Sequence, residues 1–405
     1  MMTQNKEKSI APAEASLRRP LGIYVHIPFC RRKCRYCDFV SFPAGPGDPD
    51  RQRTYLAALK QELATQADRF GGRYRVDTVY IGGGTPTVLD VDLISEVVGE
   101  IFRRFSIVGR DRLELTLEAN PESVDALQCR RMRAGGFNRV SLGVQSLDSE
   151  MLRSLGRIHD ASMAAESYHR IRETVTDNVG VDLMFGLPGQ TIAIWEDTLD
   201  QVLEWKPAHL SFYSLQLEEG TSFYENYRTG AMDLPAWTVN REMYHRAVGK
   251  LKENGYEHYE VSSAALAGRR CRHNLKYWTS QDYLGLGLAA HSFLDGTRYE
   301  NTAAWDSYTD GSFLEHIRSQ DTAELMGDYL FTELRKITGF DLTDFSRRFG
   351  VDFREVFGET AEALVREGSL EYAGGTLRLT ARGLDRTNLV LGNLLNRAGG
   401  IHGKQ

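Results

Sequence analysis

Three cysteines, Cys30, Cys34 and Cys37, fall in one short stretch with the spacing C-x3-C-x2-C, and no fourth cysteine follows nearby. A zinc site usually draws four ligands from two close pairs. A plain electron-transfer iron–sulfur cluster also takes four thiolates. Three thiolates on a four-iron cubane leave one iron without a protein ligand. The spacing therefore points to a cluster that holds a small molecule on its open iron.

Other residues suit the wall of such a site. The run Gly82-Gly83-Gly84-Thr85-Pro86 lets backbone approach a ligand closely and offer its N–H and C=O groups; its bland reading is a tight strand-to-helix turn. Glu118 and Asp182 are carboxylates in otherwise apolar runs, where burial is costly without a partner. They suit a hydroxyl or an ammonium of a ligand, or else an ion pair with Arg139 or Arg157. Arg157 can grip a carboxylate through paired hydrogen bonds, or stand on the surface. Tyr24 points toward the cysteines or packs in the core. His26 bonds a cluster sulfur or the loop backbone, or is a satisfied barrel histidine. A second dense segment is Cys271-Arg272-His273-Asn274-Leu275-Lys276-Tyr277-Trp278. His, Tyr and Cys are all haem axial ligands elsewhere, and the aromatics suit a flat macrocycle; the alternative is a structural loop. Cys129 reads as a buried helix residue. His291, after Gly285-Leu286-Gly287, faces the open mouth of a barrel or sits in its core.

The elements that position these residues alternate. Strands are expected over 22–27, 78–81, 113–117, 139–144, 180–185 and 210–215. Helices are expected over 53–67, 92–105, 125–134, 163–174 and 191–203, from apolar residues at helical spacing. Repeated strand–helix–strand units imply a parallel sheet, here an α/β fold with an incomplete (β/α)6 barrel. Such barrels carry their sites at the C-terminal ends of the strands, where the cysteines, the glycines, Glu118, Gln145 and Asp182 fall. A further helix is expected over 240–254. Residues 1–20 read as a disordered tail, 21–294 as the barrel and 295–320 as a connector. Residues 321–405 read as a small, mostly helical, winged domain, with helices over 325–334, 342–349, 354–367 and 382–396 and a strand at 377–379.

The 405 residues carry 49 Lys and Arg against 55 Asp and Glu, a net charge of −6, which argues against a nucleic-acid binder. No run of 18 apolar residues suggests a membrane-spanning helix, and the polar N-terminus lacks the apolar stretch of a secretory signal. Five cysteines, three of them clustered, argue for reduced thiols and a cytoplasmic location.

C-x3-C-x2-C is the signature of the radical S-adenosylmethionine (SAM) proteins. With Tyr24-x-His26-x-Pro28-Phe29 before it, then Gly82 to Pro86, Glu118-x-Asn120-Pro121, Leu142 to Ser146 and Asp182 to Gly189, the chain resembles their oxygen-independent coproporphyrinogen III oxidase group over about residues 21–294. Its C-terminal part resembles that group's appended domain. Within the group, Phe39 stands where the oxidases have a fourth cysteine, only some twenty residues precede the first strand, and His273-Asn274-x-x-Tyr277-Trp278 resembles a motif of the haem-chaperone branch.

The resemblance implies that Cys30, Cys34 and Cys37 ligate a [4Fe-4S] cluster. It implies that Tyr24, Gly83, Gly84, Thr85, Glu118, Gln145, Arg157 and Asp182, with the backbone of Tyr36, surround SAM. It further implies that haem binds, with His273 as the candidate contact, and passes to respiratory proteins; transient membrane association and a monomeric or dimeric state are expected, and no catalytic residue is assigned. The alternative is an oxidase that decarboxylates propionates through a 5′-deoxyadenosyl radical, and a third reading is a purely structural cluster.

Overall fold

Polar and apolar residues alternate along six short runs, and this pattern decides the architecture. The runs are Arg19–Ile27 (β1), Tyr74–Gly83 (β2), Glu114–Ala119 (β3), Arg139–Gln145 (β4), Val179–Phe185 (β5) and His209–Ser214 (β6). They lie parallel in a computed structural model that describes residues 18–43 and 49–399. Each coincides with an expected strand. The barrel gains a parallel strand that was not expected: Tyr283–Leu286 (β7) pairs with β1. The spatial order is β6-β5-β4-β3-β2-β1-β7.

Alternate residues of a strand face opposite sides of a sheet. Val79, Ile81, Leu115, Leu117, Val140, Leu142, Val181, Leu183 and Leu210 join the main apolar core. That core takes in the helices that link successive strands: Pro49–Phe70, Val91–Arg104, Ala126–Ala134, Ala161–Thr174 and Ile192–Trp205. Asp90, Asp125 and Asp160 cap three of these helices by accepting backbone N–H bonds. The intervening strand residues are polar and bond to one another across the interior: Tyr80 to Glu118, and Ser141 to Asp182.

The sheet does not close. Beyond β6 it continues antiparallel through Ser263–Ala265 and Glu257–Glu260. Beyond β7 it continues through His291–Leu294, Thr297–Asn301 and Leu314–Ser319. The stretch 295–320, which the sequence marks only as a connector, thus supplies two strands of the sheet. Of the expected tail, residues 1–17 lie outside the described residues, and Arg19 and Pro20 open β1.

The N-terminal ends of the strands are plugged by the helix Arg272–Trp278. The Glu114 carboxylate accepts from the backbone N–H groups of Arg272 and His273, each at 2.9 Å. Lys276 pairs with Asp77 at 2.8 Å, and His273 Nδ1 lies 2.9 Å from Thr78 Oγ1. The plug needs a glycine above it, since a Cβ on Gly22 would sit 2.8 Å from Lys276 Cδ and 3.2 Å from His273 Cε1.

Residues 322–399 hold their own apolar core, built from Leu330, Phe345, Phe353, Phe357, Leu364 and Leu394 among others. Helices Thr322–Glu333, Leu342–Phe349 and Phe353–Arg366 precede a hairpin, Leu370–Ala373 with Thr376–Leu379. The hairpin turns on Gly374 and Gly375, both at positive φ. The single helix expected over 382–396 is two, Ala381–Asp385 and Thr387–Gly399, broken at Arg386. Among the described residues no helix is long and apolar enough to cross a membrane.

Gly22→Ala forces an extra methyl group against a packed plug. We expect a loss of about 1–3 kcal/mol, read by thermal or urea unfolding. A neutral substitution would show that the helix is not seated on β1.

Candidate cofactor site at the open end of the barrel

The C-terminal ends of the strands surround a cavity of about 440 Å³. Cys30, Cys34 and Cys37 line it from the loop after β1, and all three are free and half-buried. Gly83, Gly84 and Thr85 line it after β2, and Glu118 and Asn120 at the end of β3. Gln145, Arg157, Asp182, Tyr36 and Tyr213 complete the wall. Ten of the twelve residues expected around cluster and cofactor, with haem left aside, would already define this space; they are eleven with Tyr36, and Tyr24 is the exception.

The cysteine loop is held from below and behind. Gly84 N–H donates to Ile27 O at 2.9 Å and Thr85 N–H to Phe29 O at 2.7 Å. A Cβ on Gly84 would stand 2.6 Å from Phe29 O and 2.9 Å from Cys30 Sγ. The glycine run therefore brings the cysteine loop close, and those two N–H groups are spent on that loop rather than offered to a ligand. Gly83, at φ +109, gives its N–H to Glu118 Oε2 at 3.0 Å. His26 secures the far side of the loop through Nε2, 2.9 Å from Val40 O.

Arg157 ties the loop to two strands. It donates to Asn120 Oδ1 at 2.8 Å and to Gly143 O at 2.6 Å, and its other terminal nitrogen reaches Cys34 Sγ at 3.6 Å. Asn120 in turn donates to Thr85 Oγ1 at 2.8 Å, and Thr85 Oγ1 lies 3.7 Å from Cys30 Sγ. Arg157 is thus neither a surface arginine nor the partner of Glu118 or Asp182.

The two carboxylates are held by neutral groups. Glu118 accepts from Tyr80 at 2.7 Å. Burial pushes its carboxyl up to about 7 against that bond, and the neighbouring Asp182 charge adds to the rise. Asp182 accepts from Ser141, 3.1 and 3.2 Å from its two oxygens, and burial raises its pKa as well. Gln145 sits at φ +66, a left-handed conformation uncommon for a non-glycine residue, and accepts from Tyr213 at 2.9 Å.

Two of the expected residues stand away from the cavity wall. Tyr24 does not line the cavity: its hydroxyl lies 3.1 Å from His26 Nδ1 and its ring stacks on Tyr80 one layer below. His273 is not placed to ligate haem. It is sealed in the plug, with Nδ1 against Thr78 and Nε2 2.9 Å from Tyr277 hydroxyl, so both ring nitrogens are engaged. Burial, with Lys276 and Arg139 nearby, lowers its pKa to about 3 and keeps the ring neutral. Cys271 is likewise fully buried, and Cys129 packs in the main core. The residues that sequence reasoning missed are Tyr80, Ser141, Tyr213 and Asn120. Their signal was present in the alternation of polar with apolar residues along β2, β3, β4 and β6.

The donor set fits an iron–sulfur cluster with one open iron. Burial pushes the Cys37 thiol up to about 11 and raises Cys30. Such thiols ionise when a metal centre takes the thiolate. Among the described residues no three His, Cys, Asp or Glu side chains converge on a single metal ion. A cubane takes one sulfur at each of three separate irons, and no such convergence is needed.

Comparison with known proteins agrees with this geometry. The chain matches the family model described as the Radical SAM superfamily over residues 24–202, and the HemN C-terminal domain over residues 321–386. It is 33% identical over 377 residues to the protein named heme chaperone HemW of Bacillus subtilis, covering 92% of this chain and 98% of that protein. Identity to the Mycobacterium tuberculosis protein of the same name is 33% over 385 residues, covering 93% and 95%. A structure of Escherichia coli coproporphyrinogen III oxidase, a radical SAM enzyme, superposes with a TM-score of 0.80 at 24% identity, covering 94% of this chain and 90% of that one. That likeness establishes the shared fold.

The raised Glu118 pKa has a measurable consequence. Its folded value, about 7, lies above the ordinary 4.5, so its contribution to stability is fully present below about pH 4.5 and lost as pH rises through about 7. Glu118→Gln lacks this loss. Relative to the native chain, the ligand-free variant should gain several degrees in Tm between about pH 5 and pH 8. A Tm difference independent of pH would show that Glu118 titrates normally.

Proposed function

The chain belongs to the HemW family of radical SAM proteins, and we propose that it binds haem and passes it to haem-accepting respiratory proteins, with a [4Fe-4S] cluster on Cys30, Cys34 and Cys37 and SAM beside it. The observation that carries this reading is the cavity wall. Three thiols, the Arg157 cation and two carboxylates face one space, in a chain that matches proteins named heme chaperone along nearly its whole length. Phe39, exposed on the rim, occupies the position that the resemblance assigns to a fourth cysteine in the oxidases.

In this reading each side chain has a physical task. Arg157 donates to the Cys34 sulfur and offsets the charge of ligating thiolates. Glu118 and Asp182 accept hydrogen bonds from ribose hydroxyls or an ammonium, and Glu118 gives up its proton near neutral pH when a cation arrives. Gln145, held by Tyr213, presents its amide to the same space. The backbone of Tyr36 closes the loop side. When bound, cluster and SAM supply one-electron chemistry at the SAM sulfonium; in a chaperone they regulate haem binding or transfer, or stabilise the fold. Haem itself contacts a surface other than the sealed His273.

The second reading is an oxygen-independent coproporphyrinogen III oxidase. It is favoured by the polar wall, which holds the groups a SAM-cleaving enzyme would use to position its cofactor.

The deciding measurement uses anaerobically reconstituted protein. Haem is titrated by absorbance, and coproporphyrinogen III decarboxylation is assayed with SAM and a reductant in the same preparation. We expect stoichiometric haem binding and no decarboxylation; turnover to protoporphyrinogen would establish the oxidase instead. In the same titration His273→Leu should lower Tm and leave haem binding intact. Selective loss of haem binding in a variant of native stability would restore His273 as the contact.

A further inference from the structure

At the base of the barrel, away from the cysteines, a second space opens between the sheet and the C-terminal domain. It has two chambers, of about 560 and 200 Å³, which share Ser280, Phe293, Leu325 and Arg348 in their walls. Small-molecule sites favour such domain boundaries. On the barrel side stand Ser280, just after the plug helix, Tyr283 of β7, and Phe293 and Arg298 of the antiparallel strands beyond it. On the domain side stand Leu325 and Phe331 from Thr322–Glu333, and Arg348 and Phe349 from the end of Leu342–Phe349. The two sides are locked together. Val261 N–H donates to Arg335 O at 2.9 Å and Ile337 N–H to Tyr259 O at 3.2 Å. Ser280 Oγ lies 2.9 Å from Thr332 Oγ1, and Arg298 Nε donates to Asp328 Oδ2 at 3.0 Å. The crevice is therefore preformed, and a ligand entering it does not bear the cost of ordering its walls.

Its lining is divided by chemistry. Tyr277, Tyr283, Phe293 and Phe331 make the smaller chamber aromatic, with Tyr277 and Tyr283 edge to face at 4.6 Å between centroids. Arg348, which lines both chambers, is exposed. Among the described residues it makes no ion pair, and it donates to the Ser280 carbonyl at 3.2 Å. A flat apolar ring with carboxylates at one edge answers that distribution: the ring lies on the aromatics and a carboxylate meets the guanidinium. The cavity at the other end of the barrel answers it poorly, since Glu118 and Asp182 face it. The crevice also holds a donor for a metal at the centre of such a ring. Arg298 lies beside the Tyr283 hydroxyl. A neighbouring guanidinium favours a phenolate oxygen, and tyrosine is one of the protein ligands that haem iron accepts.

We propose that this crevice is the haem site: the macrocycle lies against Phe293, Leu325 and Phe349, Arg348 pairs with a propionate, and the Tyr283 oxygen ligates the iron. The inference rests on the reading that the chain binds haem. As the iron–oxygen bond forms, the phenol proton passes to solvent and no electron moves. Tyr283 pairs with Gly22 near the start of β1, whereas Cys30 follows the end of that strand. Haem and the cysteine loop thus stand at opposite ends of the barrel, and the one binds without the other.

The test titrates ferric haem by absorbance into the full-length chain, once with the cluster reconstituted and once without it. Both forms should bind haem equally well. Resonance Raman spectra of the complex should show phenolate–iron modes, and Tyr283→Phe should abolish them. Arg348→Glu, a change on the surface, should weaken haem roughly tenfold at low salt with Tm unchanged, and less so at high salt. Metal-free protoporphyrin is the second probe: Arg348→Glu should weaken it as it weakens haem, and Tyr283→Phe should leave it unaffected. Native affinity for haem in Arg348→Glu would overturn the site. So would a native complex without phenolate modes, modes that survive Tyr283→Phe, or haem binding that needs the cluster. A native chain that binds no haem in either form would instead refute the reading beneath it.

Discussion

The interior of this barrel is polar, and every buried polar group must find a partner or carry a desolvation cost of about 1–3 kcal/mol. Parallel strands covered on both faces usually run as continuous apolar segments. Here they alternate, so most apolar residues face the surrounding helices, and the interior is left largely to polar groups, Thr78, Tyr80, Glu114, Glu118, Ser141 and Asp182 among them. These groups do not pack as a greasy plug would. They place the loops instead: Glu114 seats the N-terminus of the base helix, Glu118 holds Gly83, and Thr78 holds His273.

Once that requirement is met, little freedom remains at the top of the barrel. The glycine run reads in isolation as a ligand cradle, yet two of its N–H groups are spent holding the cysteine loop. Arg157 serves the same end from the other side, joining Asn120, Gly143 and the Cys34 sulfur. Cysteine loop, glycine turn and strand ends form one hydrogen-bonded unit. The polar wall left over, Glu118, Asp182, Gln145 and Tyr213, is what remains to meet a small molecule.

The parts of this arrangement legible in sequence are those where residue type and chemistry coincide. Three spaced cysteines, a triple glycine and carboxylates at strand ends have few structural uses, and all fall on one cavity. Six strands were legible because β-branched and apolar residues recur at regular distance between helical stretches. β7 was not, because Tyr-Leu-Gly-Leu is short and stands between irregular segments. The place of His273 was not legible for a physical reason: an aromatic-rich segment with His and Cys looks the same whether it grips a macrocycle or fills the base of a barrel. What separates the two is Gly22 and Glu114, distant in sequence, which accept the helix and leave no ring nitrogen unengaged.

The same packing bears on how the two ends of the barrel communicate. Glu118 meets the Tyr80 hydroxyl, the Tyr80 ring stacks on His273 with centroids 5.2 Å apart, and His273 meets Tyr277. This column runs from the cavity to the base. Coupling along it would need an element with two arrangements, and here Tyr80 and His273 are buried, Tyr277 is half-buried, and each is held by hydrogen bonds or ring contacts. The column is therefore a strut that resists deformation when a cation or a proton arrives at Glu118. Adaptation to a ligand falls to the rim, where Phe39 and the basic side chains of the cysteine loop reach solvent and few contacts restrain them.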